Sequence, residues 1–240
     1  MKVWAHRGAS GYAPENTLPA FALAVEQGAD GVELDIQLTK DGQIVVIHDE
    51  TIDRVSNGSG WVKDYTLSQL KKFNFNKTFP EYGFVTIPTL EEVYDLLKDT
   101  GLTVNVELKT NTIFYRDIEE KALKITEKMN MLDRVIYSSF NHYSVIKVKE
   151  LATNIKTAFL CSREIANIAE YTKQNGVNAL HPSADILRYP GLIQSCKKEE
   201  RIEINVWNVR DADVEFCRDN DIDTVITNFV DRTKRIIERN

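Results

Sequence analysis

The chain has few cysteines, and they lie far apart. Only Cys161, Cys196 and Cys217 occur among its 240 residues, and no two of them form a CxxC pair. An odd and widely spaced set of this kind predicts reduced thiols buried as small apolar side chains, not disulfides or a zinc site.

Long apolar runs are also missing from the chain. No uninterrupted apolar stretch approaches the ~20 residues of a membrane-spanning helix, and the opening MKVWAHRGAS lacks the apolar segment of a secretory signal. We therefore expect a soluble, cytoplasmic protein without stable membrane insertion.

Positive charge is not in excess either. The 30 lysine and arginine residues are outnumbered by 36 aspartate and glutamate residues, which makes the formal net charge -6. This balance argues against nucleic acid or an anionic membrane as the partner. A small-molecule substrate is expected instead, and an anionic one would need a cation or a few basic side chains at the site. Composition does not predict an oligomeric state.

What the chain does have is a regular succession of strand-like apolar runs. Beyond residue 103 their starts lie 21 to 32 residues apart, and helix-period segments fill most gaps. This spacing is typical of βα units wound in one direction. Eight such units predict a (β/α)8 barrel formed by residues 1–240 as a single catalytic domain, although an open parallel sheet has the same period. The predicted strands are residues 3–6, 31–37, 103–108, 135–138, 156–160, 178–181, 203–207 and 224–227.

Two helix starts are marked by capping residues. Asn16 or Thr17 can cap a helix that Gly28 ends. Thr89, with Glu92 three residues later, has the pattern of a capping box.

Residues 31–49, GVELDIQLTKDGQIVVIHD, predict a β-hairpin. Glu33 and Asp35 alternate with apolar residues, so in a strand both carboxylates project from the same face. A fold about Lys40-Asp41 would place Val46 opposite Asp35 and His48 opposite Glu33. The second apolar run of this stretch, residues 44–47, is therefore expected to be the return arm of a hairpin above the barrel.

Residues 51–88 have no regular period and many aromatic side chains. A loop of this length within a compact domain is usually functional or a small unit of its own. We expect an inserted subdomain after the second strand region, capping the barrel mouth. The alternative is that the aromatic side chains only pack the insert onto the barrel rim. The aromatic residues are Trp61, Tyr65, Phe73, Phe75, Phe79, Tyr82 and Phe84.

Three carboxylates lie on strands whose carboxyl ends would share the barrel mouth. Glu33, Asp35 and Glu107 would repel one another there and raise one another's pKa unless positive charge lay between them. An all-oxygen set suits a hard divalent cation, Mg²⁺ or Ca²⁺, better than zinc. The alternative is that these carboxylates form structural ion pairs with Arg7 and Lys109.

Two histidines are expected at the same mouth. His6 and His48 follow apolar strands, and an imidazole whose pKa lies near neutrality can act as a general base or a general acid. Asp49 could orient a neighbouring histidine. Arg7 and Lys109 would bind the oxygens of a phosphate.

The other two histidines are expected to play smaller parts. His142 follows the helix cap Asn141 and is expected at the surface, and His181, before Pro182, is a candidate for the barrel rim.

Several motifs form an ordered series along the chain. They are HRGASGYAPENT at residues 6–17, VELDIQLTKDGQIVVIHD at 32–49, IPTLEEV at 87–93 and VELK at 106–109. The series resembles the glycerophosphodiester phosphodiesterases over the whole barrel. SSF at 138–140, WNV at 207–209 and TN at 227–228 resemble later patterns of that family, with Asn228 where an aspartate is more usual.

The resemblance implies a TIM barrel with a small inserted subdomain after the second strand region. It implies metal-dependent hydrolysis of glycerophosphodiesters, such as glycerophosphocholine or glycerophosphoethanolamine, to glycerol 3-phosphate and an alcohol. Trp207 joins Arg7 and Lys109 among the expected substrate contacts. The metal ligands it implies are Glu33, Asp35 and Glu107, and the acid and base histidines are His6 and His48.

Two other functions stay open at this point. A phospholipase-type phosphodiesterase acting on lipid substrates would need an apolar lip, which the aromatic insert could provide, but the acidic net charge counts against it. A non-catalytic phosphodiester-binding module would have no use for the histidine pair.

Overall fold

The computed structural model describes residues 1–189 and 191–239. Over that part of the chain the strands are β1 (Lys2–His6), β2 (Gly31–Leu38), β3 (Ile44–Val46), β4 (Thr103–Leu108), β5 (Val135–Ser139), β6 (Lys156–Cys161), β7 (Ala179–Pro182), β8 (Glu203–Val206) and β9 (Thr224–Thr227). Eight of them are parallel and follow the order β1-β9-β8-β7-β6-β5-β4-β2, and pairing of β1 with β2 closes the barrel. The predicted (β/α)8 barrel is confirmed, since an open sheet would leave β1 and β2 unpaired.

Helices follow the strands along the chain. They are α1 (Leu18–Glu26), α2 (Leu67–Leu70), α3 (Leu90–Leu97), α4 (Ile118–Lys128), α5 (His142–Leu151), α6 (Ile168–Gln174), α7 (Leu192–Gln194), α8 (Asp211–Asp219) and α9 (Val230–Glu238), with 3-10 turns at Val62–Asp64, Pro80–Tyr82 and Ala184–Ile186 and a π-helical turn at Ser195–Glu200. None of the helices in the described ranges combines the length and the apolar character needed to cross a bilayer. The three cysteines are buried free thiols, as expected.

The two predicted helix starts differ in their capping. The capping box of α3 is confirmed, because the Thr89 hydroxyl accepts a hydrogen bond from the Glu92 N–H at 3.2 Å and the Glu92 carboxylate accepts one from the Thr89 N–H at 2.7 Å. At α1 the prediction of a side-chain cap is wrong. Thr17 precedes the helix, but its hydroxyl donates to the carbonyl of Pro14, and Asn16 bonds elsewhere.

The third strand-like run of the chain, residues 44–47, forms the hairpin arm. β3 pairs antiparallel with β2 and with no other strand of the described chain, so it lies outside the parallel barrel, as predicted. The register differs from the prediction by one residue, because Val46 pairs with Ile36 where Asp35 was expected. His48 consequently does not lie opposite Glu33, and the ladder ends at Val46.

The cause of the register difference is the length of the turn. Gly42 takes a left-handed backbone conformation with φ of 74°, and the N–H of Thr39 donates to the carbonyl of Gln43 at 3.0 Å. The loop therefore contains three residues, a length at which a left-handed residue commonly completes the turn, instead of the two that a fold about Lys40-Asp41 assumed.

Residues 51–88 share a small hydrophobic cluster with the hairpin arm. Its buried members are Val45, Ile47, Ile52, Val55, Val62, Leu70, Phe75 and Ile87. The main cluster of buried apolar side chains is separate and extends over the strands and helices of the barrel. Of the aromatic residues in this segment, Phe75 is buried, whereas Trp61, Tyr82 and Phe84 are exposed.

The strand register brings the carboxyl ends of three neighbouring strands to one point. His6, the last residue of β1, pairs with Glu33 of β2, and Asp35 of β2 pairs with Glu107 of β4. Below them an interior layer that includes Trp4 and Ile136 fills the barrel, so the polar side chains are confined to the mouth.

The three-residue hairpin turn makes a stability prediction. Replacing Gly42 with alanine should lower the free energy of unfolding by roughly 1–2 kcal/mol, because a Cβ disfavours the left-handed conformation. Urea unfolding of the variant measures this loss. Gly42→Asn is the matched control and should lose less, since asparagine visits that conformation more readily; equal stability of wild type and Gly42→Ala would contradict the turn assignment.

Candidate active site

Three carboxylates converge at the mouth of the barrel. Glu33 and Asp35 lie two residues apart on β2, and Glu107 is the partner of Asp35 on β4. Each offers a ligand oxygen, and these oxygens all lie within 4.8 Å of one another. The three residues are 4%, 0% and 7% exposed, respectively. The predicted convergence of these side chains is present, and it is almost wholly removed from water.

Burial and mutual repulsion dominate the electrostatics of this cluster. Burial raises the pKa of Glu33 well above its usual range, and the charges of Asp35 and Glu107 raise it further. Burial, followed by the charge of Asp35, also raises the pKa of Glu107. Burial opposes ionisation of Asp35 too, but its surroundings, His48 first and then Lys109 and Arg7, hold its pKa well below the usual range. Asp35 is thus the carboxylate whose charge the protein supports best.

Two basic side chains neutralise part of the cluster. The Lys109 ammonium donates to Glu107 at 2.9 Å and lies 3.8 Å from Asp35 Oδ1. The backbone N–H of Arg7 donates to Glu33 at 2.9 Å, and the Arg7 Nε lies 3.5 Å from Asp35 Oδ2. Lys109 and Arg7 therefore do form the ion pairs with the carboxylates that the alternative expected. These pairs do not supply a hydrogen bond to every carboxylate oxygen.

One fully buried oxygen of the cluster has an ion-pair neighbour but no hydrogen bond. Asp35 Oδ1 is buried and accepts no hydrogen bond from any described residue. A buried, charged oxygen without a donor is costly, and a cation would satisfy it. Three carboxylates with only oxygen donors suit a hard divalent cation, so the residues present fit such an ion.

His6 stands at the edge of the cluster. Its Nε2 lies 3.9 Å from Glu33, and its Nδ1 is 2.7 Å from the Asn228 side-chain oxygen. Burial, followed by the charge of Arg7, lowers the pKa of His6 to about 4. Asn228, noted in the sequence only for standing where an aspartate is more usual, is thus the residue that orients the His6 ring.

His48 is held by its neighbour and by the backbone of its own segment. Its Nδ1 lies 2.7 Å from the Asp49 carboxylate, the contact that the sequence suggested. The Gln37 amide donates to the carbonyls of His48 at 3.0 Å and Asp49 at 2.7 Å, and its oxygen accepts from the Tyr115 hydroxyl at 2.8 Å. His48 therefore reaches the site through the loop after β3, not through strand pairing with Glu33.

Two charged residues that the sequence did not single out complete the surroundings. Arg54 donates to Asp49, with its closest contact at 2.6 Å, and to Glu15 at 2.6 and 2.8 Å. Glu15 also accepts from the Arg7 guanidinium at 2.9 Å. Neither residue follows a strand, so the position at a strand end, which pointed to the other residues, gave no signal for them.

Asn16 is the third residue that was missed. Its amide donates to Asp35 Oδ2 at 2.8 Å, and its oxygen accepts from the Asp35 N–H at 3.3 Å. The Asn16 side chain, which was expected to cap the helix, therefore binds the buried carboxylate instead. Its place in the motif PENT, outside the helix, was the available signal.

Trp207 lies at the end of β8, across the barrel from the carboxylates in strand order. Its indole N–H donates to the carbonyl of His181 at 3.0 Å. The Phe140 ring meets it edge to face, with the centroids 5.7 Å apart. Both aromatic side chains are partly buried, and they form an apolar wall on this side of the mouth.

The two remaining histidines do not occupy their expected places. His142 is partly buried and stacks on Phe159 with ring centroids 4.1 Å apart, so the prediction of a surface position is wrong. His181 is fully buried, its Nε2 is 2.9 Å from the Asn205 side chain, and burial lowers its pKa to about 3. It belongs to the barrel interior and not to the rim.

Comparison with known proteins identifies the family of the chain. The model of the glycerophosphoryl diester phosphodiesterase family matches residues 6–232. A glycerophosphodiester phosphodiesterase of Caldanaerobacter subterraneus subsp. tengcongensis is 43% identical over 227 residues, which cover 94% of this chain and 93% of the relative. A glycerophosphodiester phosphodiesterase of Bacillus altitudinis is 38% identical, with 99% and 98% of the two chains covered.

Solved structures show the same architecture. A glycerophosphodiester phosphodiesterase from Thermotoga maritima superposes with a TM-score of 0.82 at 30% identity, covering 98% of each chain. An Oleispira antarctica phosphodiesterase, solved in complex with the product sn-glycerol-3-phosphate, has a TM-score of 0.87 at 26% identity, covering 99% of this chain and 97% of the other. The matched region contains all the residues of the mouth described above, and the chain belongs to the glycerophosphoryl diester phosphodiesterase family, a family of phosphodiester hydrolases.

Proposed function

We propose that this chain hydrolyses glycerophosphodiesters, such as glycerophosphocholine or glycerophosphoethanolamine, to glycerol 3-phosphate and an alcohol. The observation that carries the proposal is the convergence of three carboxylates, two basic side chains and two histidines at one end of the barrel. The similar Oleispira antarctica enzyme was solved with sn-glycerol-3-phosphate, which supports the same substrate class.

A divalent cation, Mg²⁺ or Ca²⁺, would be held by Glu33, Asp35 and Glu107. The all-oxygen donor set, and the burial of Asp35 Oδ1 without a hydrogen-bond donor, support this assignment. When bound, the cation would neutralise negative charge on a nonbridging phosphate oxygen. Two positively charged side chains, Arg7 and Lys109, flank the carboxylates and would bind the other phosphate oxygens.

The two proton transfers of the reaction are assigned to His6 and His48. In each ring Nδ1 is engaged, by Asn228 and by Asp49 respectively, which leaves Nε2 for the substrate. One imidazole takes the proton from the attacking hydroxyl, and the other protonates the leaving alkoxide.

The apolar wall and the insert would shape the rest of the binding site. Trp207 offers an aromatic face to the organic part of the substrate, at the side of the mouth away from the carboxylates. Residues 51–88 cover the other side, an assignment supported by the contact of Arg54 with Glu15 and by the hydrogen bond from the Tyr82 hydroxyl to the carbonyl of Tyr12 at 3.0 Å. The buried free thiols support a cytoplasmic location.

The first prediction concerns the reaction itself. Purified protein supplied with Mg²⁺ or Ca²⁺ should release glycerol 3-phosphate from glycerophosphocholine, and excess EDTA should abolish the release because the negative phosphate would then face the carboxylate cluster without the cation that neutralises both. A coupled assay for glycerol 3-phosphate measures both. Undiminished turnover in EDTA would exclude the metal role, and diacyl phosphatidylcholine serves as the comparison substrate for a phospholipase.

The second prediction concerns metal binding without turnover. A divalent cation at ~100 times its dissociation constant should stabilise the fold by about 2.7 kcal/mol, because it binds the folded carboxylate cluster and not the unfolded chain. Thermal unfolding with and without Mg²⁺ or Ca²⁺ measures the shift, which Asp35→Asn should remove. Glu203→Gln, which alters an exposed ion pair with Lys156, should keep the full shift.

The third prediction separates the two histidines. His6→Gln and His48→Gln should each lower kcat on glycerophosphocholine ~10²–10⁴-fold, the usual range for loss of a general acid or base. On a glycerophosphodiester whose leaving group is p-nitrophenolate, the variant that lacks the general acid should regain most of its rate, because this weakly basic phenolate leaves without a proton. Full activity of either variant on glycerophosphocholine would remove that histidine from the mechanism.

A further inference from the structure

We propose that Arg54 is a positioning residue, supplied to the active site by the segment 51–88, and that it holds His48 and Arg7 in place through Asp49 and Glu15. The inference rests on the proposed function, since His48 and Arg7 have their roles there. The strand pattern does not place Arg54 at the site; the assignment rests on its contacts with Asp49 and Glu15.

The Arg54 guanidinium bridges two carboxylates from different parts of the chain. Its Nε donates to Asp49 Oδ2 at 2.6 Å and its Nη2 to Asp49 Oδ1 at 3.1 Å. On the other side, Nη1 and Nη2 donate to the two oxygens of Glu15 at 2.6 and 2.8 Å. Both contacts are bidentate, the geometry in which a planar guanidinium fixes the orientation of a carboxylate.

Each of the two carboxylates holds a group of the proposed mechanism. Asp49 lies 2.7 Å from His48 Nδ1, and Glu15 accepts from the Arg7 guanidinium at 2.9 Å. From Arg7 to Asp49 the charges alternate in sign, so each side chain is pulled toward its two neighbours. A rotation of Arg54 would therefore release both ends of this series.

The backbone of Arg54 is placed with little freedom. Its neighbours Ile52 and Val55 are buried in the small hydrophobic cluster, at 0% and 6% exposure. The N–H of Ser56 donates to the carbonyl of Ile52 at 3.0 Å, and the Ser56 hydroxyl donates to the same oxygen at 2.7 Å. The turn fixes the Cα position of Arg54, and the hydrogen bonds to Asp49 and Glu15 fix the direction of its guanidinium.

The hydrogen bonds of Arg54 argue against direct contact with the substrate. A guanidinium has five N–H donors, and four are engaged by Asp49 and Glu15. Binding a phosphate bidentately would need two free donors. The side chain is 44% exposed, yet its donating edges face the two carboxylates, and Arg7 and Lys109 are the cations beside the cluster.

The test compares Arg54→Ala and Arg54→Lys with wild type in the glycerophosphocholine assay. Both variants should lose kcat by ~10–100-fold, the usual cost of removing a partner that orients a functional side chain, with a smaller rise in KM because the phosphate contact of Arg7 is also loosened. Lysine should not substitute, because one ammonium cannot bridge two carboxylates bidentately. Millimolar guanidinium should restore part of the rate of Arg54→Ala, and ethylammonium should not.

Two further measurements separate positioning from stability. The double variant Arg54→Ala/Asp49→Asn should lose no more kcat than the worse single variant, because the two side chains act as one unit. The unfolding temperature of Arg54→Lys reports any loss of folding. Arg218→Ala is the matched control, since this exposed arginine pairs with Asp219 away from the barrel mouth, and it should retain the wild-type kcat and KM.

Several outcomes would overturn the inference. They are wild-type kcat in Arg54→Ala, a raised KM with unchanged kcat, which would indicate substrate contact, and a loss of activity that follows the unfolding temperature and is not restored by guanidinium. Each of these presupposes an active wild type. A wild type without activity on any glycerophosphodiester would instead refute the proposed function and is therefore distinguishable from failure of the Arg54 assignment.

Discussion

The repulsion among three buried carboxylates is the constraint on which the rest of the mouth depends. Glu33, Asp35 and Glu107 are held within 4.8 Å of one another and almost out of water, where unbalanced negative charge is expensive. Lys109 and Arg7 oppose this imbalance with two positive charges. A fully buried oxygen without a hydrogen-bond donor nevertheless remains on Asp35, the carboxylate whose pKa is held below the usual range.

The backbone contributes to the same balance through two residues in an uncommon conformation. Arg7 and Asn16 both have a backbone φ of 56°, in the left-handed region that is uncommon for residues other than glycine. At Arg7 this conformation lets the backbone N–H donate to Glu33 while the guanidinium lies against Asp35 and Glu15. Such strain persists where surrounding contacts outweigh it, which is typical of functional sites.

A second group of ion pairs, centred on Arg54, connects the segment 51–88 to the barrel rim. The small hydrophobic cluster fixes the turn that carries Arg54, and Arg54 joins Asp49 of the loop after β3 to Glu15 of the loop after β1. The three carboxylates are brought together by the strand register, whereas His48 is placed by loop contacts that include the amide of Gln37. The histidine is thus the part of the site that loop structure controls.

The sequence by itself determined the barrel, the hairpin and the convergence of Glu33, Asp35, Glu107, His6 and Lys109. All of these follow from local rules, because alternation along a strand decides the face and parallel strands end at one edge. The tertiary structure decided what depends on contacts distant in the chain or on a single backbone angle. The left-handed conformation of Gly42 shifts the hairpin register by one residue from the predicted one. The Asn16 side chain binds Asp35 instead of capping the helix. His142 and His181 pack against residues that are distant in the sequence. Arg54 and Glu15 meet across 39 residues, a pairing for which no pattern along the chain carries a signal.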